Sequence, residues 1–156
     1  MKKLFAIVLT VALLMSLSVT VFAANTTGGD ADITTSIAPT YTVTIPADVN
    51  VAFNATETAF GTIEVTASQI HPDKCIKVAL TTDGELNNAI DDTKVIPYAI
   101  KDSEGADFTS ATYLAEGDKT ELSIHITADD WNAAYAGEYS DTVTFTVSYV
   151  NKAANN

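Results

Sequence analysis

The side chains most able to do chemistry in this chain are carboxylates. Asp30/Asp32, Asp91/Asp92 and Asp129/Asp130 form short acidic pairs. Two carboxylates can run glycoside hydrolysis, and several together can hold calcium. Neither chemistry is specified here. EF-hand spacing is absent, and acids in turns of a strongly acidic chain are expected to be solvated turn-formers. The two histidines are His71, just before Pro72, and His125, on the outward side of an alternating run; neither has a sequence partner suited to a triad or a zinc site. Cys75 is the single cysteine, so an internal disulfide is impossible. It shares a strand face with Lys77 and not with a histidine, which speaks against a nucleophilic thiol. A free thiol is expected, with a dimer-forming bridge as the alternative. There is no G-x-S-x-G elbow, no Gly-rich phosphate loop and no H-E-x-x-H. The expectation is a protein that is not an enzyme, with no cofactor and no metal site. A small secreted hydrolase working through loop carboxylates ranks last among the alternatives.

The aromatic residues divide by phase. Tyr41, Tyr98, Phe145 and Tyr149 fall on inward positions and read as core. Tyr113, Trp131 and Tyr135 lie near loops, where they could stack on a surface glycan or contact a host protein; otherwise they cap the core. Asn25 and Asn54 stand in glycosylation sequons, which matter only in a eukaryotic secretory route.

Charge narrows the partners further. The chain carries eight lysines, 20 acids and no arginine. It opens MKKLFAIVLTVALLM, with a basic start, an apolar run and then Val21-Phe22-Ala23, a pattern that places signal cleavage after Ala23. The competing reading is an uncleaved membrane anchor. Cleavage leaves 133 of 156 residues with two lysines gone, a formal charge of 6 − 20 = −14. Such a surface excludes nucleic acid and anionic lipid, which need basic clusters. A secreted or cell-surface location is expected, with no membrane association after cleavage.

The remaining chain is rich in Thr, Val and Ile, punctuated by Gly, Asp, Asn and Pro at short intervals. Alternation marks Ala31 to Ile37, Tyr41 to Ile45, a weaker run from Val49 to Phe53, and Thr62 to Ala67. It continues through Ile76, Val78 and Leu80, then Val95 to Ile100, Phe108 to Leu114, and Leu122, Ile124 and Ile126. TDGELNNAIDD reads as loop, and ADDWNAAYAG as one helical turn around Trp131. The last run, Tyr139 to Val150, is the cleanest: one apolar face and one hydroxyl face. About eight to ten short strands at this spacing predict an all-β fold, an antiparallel two-sheet sandwich. The expected organisation is a signal peptide over 1–23, an N-terminal segment over 24–38, the sandwich over 39–150 and a polar tail over 151–156.

Three stretches carry a resemblance: ADITTSIAPTYTVTI; IKVALTTDGEL with VIPYAIKDSEGADF; and KTELSIHITADDWNAAYAGEYSDTVTFTVSY. In this order the chain resembles the major pilins of alpha-type (colonization-factor) fimbriae, and its A-G-x-Y-x-D ending resembles spore-coat-protein-U-like secreted domains. The resemblance implies an immunoglobulin-like sandwich lacking one strand, which the N-terminal extension of another copy supplies. Carried onto this chain, the donor is 31–37, with Ile33, Thr35 and Ile37 inserted, and Val143, Phe145 and Val147 help line the acceptor groove. The alternative is a monomer whose N-terminal segment folds back on its own domain, leaving the last strand central.

Overall fold

A computed structural model describes residues 8–12 and 32–153. They form eleven strands and one short helix: β1 (Val8–Ala12), β2 (Thr40–Thr44), β3 (Glu57–Gln69), β4 (Lys74–Thr81), β5 (Glu85–Asn88), β6 (Val95–Pro97), β7 (Ala99–Asp102), β8 (Ser110–Tyr113), β9 (Lys119–His125), α1 (Ala128–Ala133), β10 (Tyr139–Ser140) and β11 (Thr144–Asn151). All pairing between them is antiparallel. One layer runs β1-β2-β3-β9-β7; the other runs β11-β4-β8, with a small β10-β5-β6 sheet beside it. The expected all-β antiparallel sandwich is therefore the fold.

Period-2 alternation explains the layers. Ile63 and Val65 of β3 and Ile76 and Val78 of β4 are completely buried, while their strand neighbours Thr62, Glu64 and Lys77 are only half-covered. Val43, Leu122, Ile124 and Ile100 complete the inner face of the first layer, and Tyr113 and Ile96 that of the second. Each aliphatic side chain taken wholly out of water contributes about 1.5–3 kcal/mol, which is what holds a domain that has no disulfide.

The two flanks of the sandwich are built differently. On one, residues 107–109 cross between layers. Lys101 bridges to Asp107, the Phe108 N–H donates to Ile100 O at 2.8 Å, and the Leu80 N–H donates to Thr109 O at 2.8 Å. The chain thus bonds to both sheets at once. On the other flank, β11 has β4 on one side and, among the described residues, no strand on the other. Here only side chains span the layers: Tyr41 stacks on Tyr149 with ring centroids 5.8 Å apart, and Phe60 meets Phe145 at 5.9 Å.

Several expectations need correction. Residues 32–39 form no strand: Ile33 is 98% and Ile37 64% exposed, because no strand among the described residues pairs with them. Residues 49–53 are loop. The supposed loop TDGELNNAIDD contains β5, whose Leu86 pairs with Ile96 of β6. The final run breaks at 141–143 into β10 and β11, and β11 lies at an edge. Within the expected leader, β1 pairs with β2 from Val8↔Thr44 to Ala12↔Thr40. The cleavage point after Ala23 lies outside the described residues. Among those residues, no helix is long and apolar enough to cross a membrane.

Candidate functional site

The open flank forms a groove. Two recesses, of about 360 Å³ and 590 Å³, share Val49, Val51, Leu86 and Asp141 and so run into each other. The first lies between Ile45 and Phe60 on one side and Val143 and Phe145 on the other. The second continues to Phe53 and Trp131 at the far end.

Local sequence positions its walls. β3 shifts register between Ala59 and Gly61, and Gly61 has φ +140. A Cβ there would sit 3.1 Å from Pro46 Cβ, so glycine lets the 45–51 loop seat directly on the irregular strand. Pro46 ends β2's run and turns the chain outward over the groove. Farther on, the Ala55 N–H donates to Ala52 O at 3.0 Å, closing a turn in which Asn54 takes φ 64. Asparagine is among the few side chains that adopt this conformation readily.

A polar clamp sits at the middle of the groove. The Tyr98 hydroxyl donates to Asp141 Oδ2, and Thr82 Oγ1 lies 2.7 Å from the Tyr98 hydroxyl and 3.2 Å from Asp141 Oδ2. Burial, and then the bond to Asp141, push the Tyr98 hydroxyl far above the usual phenol range, so it stays a neutral donor. The clamp joins the break between β6 and β7 to the break between β10 and β11. Beside it, Gly137 has φ +152, and a Cβ there would fall 2.5 Å from Asn88 Nδ2. The Asn88 carboxamide is buried and accepts the Ile90 N–H at 2.9 Å.

The sequence-derived candidates fare unequally. Val143 and Phe145 line the groove; Val147 is half-buried farther along β11 and packs on the core. Of the donor candidates, Ile33, Thr35 and Ile37 are exposed, while Ala31 and the leader 25–30 lie outside the described residues. The expected platform of Tyr113, Trp131 and Tyr135 does not assemble. Tyr113 is 2% exposed in β8, its hydroxyl donating to Thr120 Oγ1 at 2.9 Å, so its ring is core. Tyr135 is exposed with Lys94 Nζ 5.2 Å over its ring. Trp131 alone reaches the groove. Its Nε1–H donates to Ala55 O at 2.9 Å, and Phe53 meets it edge-on at 5.6 Å.

The reactive groups scatter. Asp91 Oδ1 accepts the Thr93 hydroxyl and N–H at 2.6 and 3.0 Å, which hold its carboxyl below the usual range; it is a turn-former. Asp129 and Asp130 sit in the first turn of α1, and Asp30 lies outside the described residues. His71 Nδ1 lies 3.2 Å from Asp73 in the open, and His125 Nε2 lies 2.9 Å from Ser123 Oγ on the same strand. Among the described residues no three His, Cys, Asp or Glu side chains converge as metal ligands would. Cys75 is 3% exposed, so a bridge to another chain would need local opening.

Phe53, Asn50, Ile45, Phe60 and Glu138 were missed as groove residues. Only the Phe53-Asn54 pair carried a signal, a turn-prone asparagine after an aromatic. Comparison with protein-family models, curated proteins and solved structures finds no match for this chain.

Proposed function

We propose that this is an exported, non-enzymatic surface protein, structural or adhesive, whose copies join by adding the 31–37 segment of one chain to the open flank of the next, as in the fimbrial subunits it resembles. One observation carries the reading. Among the described residues of one copy both halves of such a joint are unmet: a β11 edge with no strand beside it and an apolar groove below it, and a segment that displays Ile33 and Ile37 outside any strand. Backbone bonds to β11 would supply affinity, and alternate side chains entering the groove would supply register. A head-to-tail joint of this kind does not close on itself and builds a filament.

Geometry favours a second copy over the chain's own segment. Tyr41 lies by Tyr149 and Ile45 by Phe145, so β2 runs opposite to β11 across the layers. A segment reversing at Ala38-Pro39 would therefore lie parallel to β11, the weaker ladder. It would also bring Asp32 toward Asp141. A segment from another copy is free to lie antiparallel, with Asp32 near Lys74 and Lys152 at the end of β11, where Lys74 Nζ bonds Asn151 and Lys152 Nζ bonds Pro72 O.

The test is the size of the purified chain beginning at residue 24, by gel filtration and negative stain. Assemblies are expected. Ile33→Asp should abolish them without changing Tm, since Ile33 is 98% exposed in its own domain. Removing residues 24–38 should give a monomer whose Tm rises when a peptide spanning 30–38 is added. A strictly monomeric full-length mature chain, unaltered by the deletion, overturns the proposal.

A further inference from the structure

The far end of the groove is a different kind of surface from its middle, and we propose that it is a binding site for a neutral saccharide. This goes beyond strand addition and does not depend on it. A pyranose ring presents a flat C–H face and a rim of hydroxyls. It is held by a fixed aromatic wall with polar groups beside it. Phe53 and Trp131, set at 79° to each other, offer two such faces meeting at a corner. Phe53 stands at the tip of the Ala52–Ala55 turn and is 76% exposed, a large apolar ring that adds little to the core. The Trp131 indole is tied by its N–H to Ala55 O, the last residue of the same turn. One turn therefore carries Phe53 and anchors the Trp131 indole, so the backbone and the indole need little ordering when a ligand arrives.

Around this wall the 590 Å³ recess carries Asn50, Glu138 and Ser140, all exposed, and Asp141. Its volume lies in the range of small-molecule sites. Its lining has two carboxylates and no cation, which disfavours sialylated or sulfated sugars. An extended peptide finds little ladder here: β10 is an edge strand of only two residues, Tyr139 and Ser140, and residues 49–53 form no strand. Hydroxyls meeting side chains at separate points fit this interrupted lining better than a continuous backbone.

Trp131 is the only tryptophan, so its fluorescence reports on the site directly. The mature chain would be titrated with neutral β-1,4-linked glucose and N-acetylglucosamine oligomers, with α-linked glucose oligomers, and with sialyllactose. A saturable change with at least one neutral oligomer and none with sialyllactose is expected. Phe53→Ala should weaken binding about tenfold or more with Tm unchanged, because the ring is exposed. Glu138→Ala should weaken it less. Deleting residues 24–38 should leave binding intact, which separates this site from strand addition. Absence of a saturable response to every neutral oligomer, or affinity unaltered by Phe53→Ala, overturns the proposal.

Discussion

The two flanks of the sandwich solve the problem of a sheet edge in opposite ways. Where residues 107–109 cross, backbone groups bond to β7 and β4 together, and Phe108, 7% exposed, fills the space between layers. Where β2 faces β11, aromatic contacts span the layers and β11 has no strand beside its outer edge among the described residues. Exposed edges are templates for pairing with another chain, and proteins usually blunt them with charge, proline or a bulge. β11 reads TFTVSYVN and has no proline and no charge. The open flank is thus not a general weakness of the fold, since the same chain closes its other flank with three residues.

That contrast can be broken most severely with Phe108→Ala, expected to cost about 3 kcal/mol or more by urea unfolding. Phe145→Ala on the open flank should cost about half as much, because its ring is only half-covered. Equal losses would mean that the groove is as much core as the closed flank. Gly137→Ala comes next. The new Cβ would strike Asn88 Nδ2 and the residue would be held at φ +152, so a loss of about 2 kcal/mol is expected, with the buried Asn88 carboxamide displaced.

The clamp predicts a dependence on alkaline pH. Tyr98, Tyr113 and Tyr41 all have hydroxyls raised by burial. A phenol raised in the folded state binds its proton more tightly there than when unfolded. Its stabilisation is complete below the unfolded value of about 10 and is lost as pH rises toward the folded value. Tm should therefore fall above pH 10, and Tyr98→Phe should flatten that fall. An unchanged slope would show that the clamp does not hold the groove's middle. The smallest effect is expected from Thr127→Ala. Thr127 Oγ1 accepts the Asp130 N–H at 3.1 Å as the N-cap of α1, and its loss should cost about 1 kcal/mol, visible in Trp131 emission.

Much of the scaffold was legible because alternation is a local property. Ile63/Val65, Ile76/Val78 and Leu122/Ile124 could each be assigned inward from their own neighbours, and all are buried. β5 was not legible, since Glu85, Asn87 and Asn88 have little strand preference and the pairing comes from β6 and β10. The groove was half legible. Val143 and Phe145 follow from the phase of the last strand. The opposite wall, Ile45 to Phe53, is a loop whose course depends on Gly61 meeting Pro46, a contact between residues 15 positions apart. Tyr113 was misplaced because proximity to a turn in sequence says nothing about which layer covers a ring.

The direction of β2 and β11 separates the ends of the domain from its aromatic tip. Pro39 and Lys152, which flank β2 and β11, lie at one pole: Tyr41 packs on Tyr149, and the Lys152 N–H donates to Asp73 O at 2.9 Å. Phe53 and Trp131 lie at the opposite pole. A label or fusion joined at position 39 or 152 would therefore sit a full strand length from the aromatic tip, as a wrist does from the fingertips.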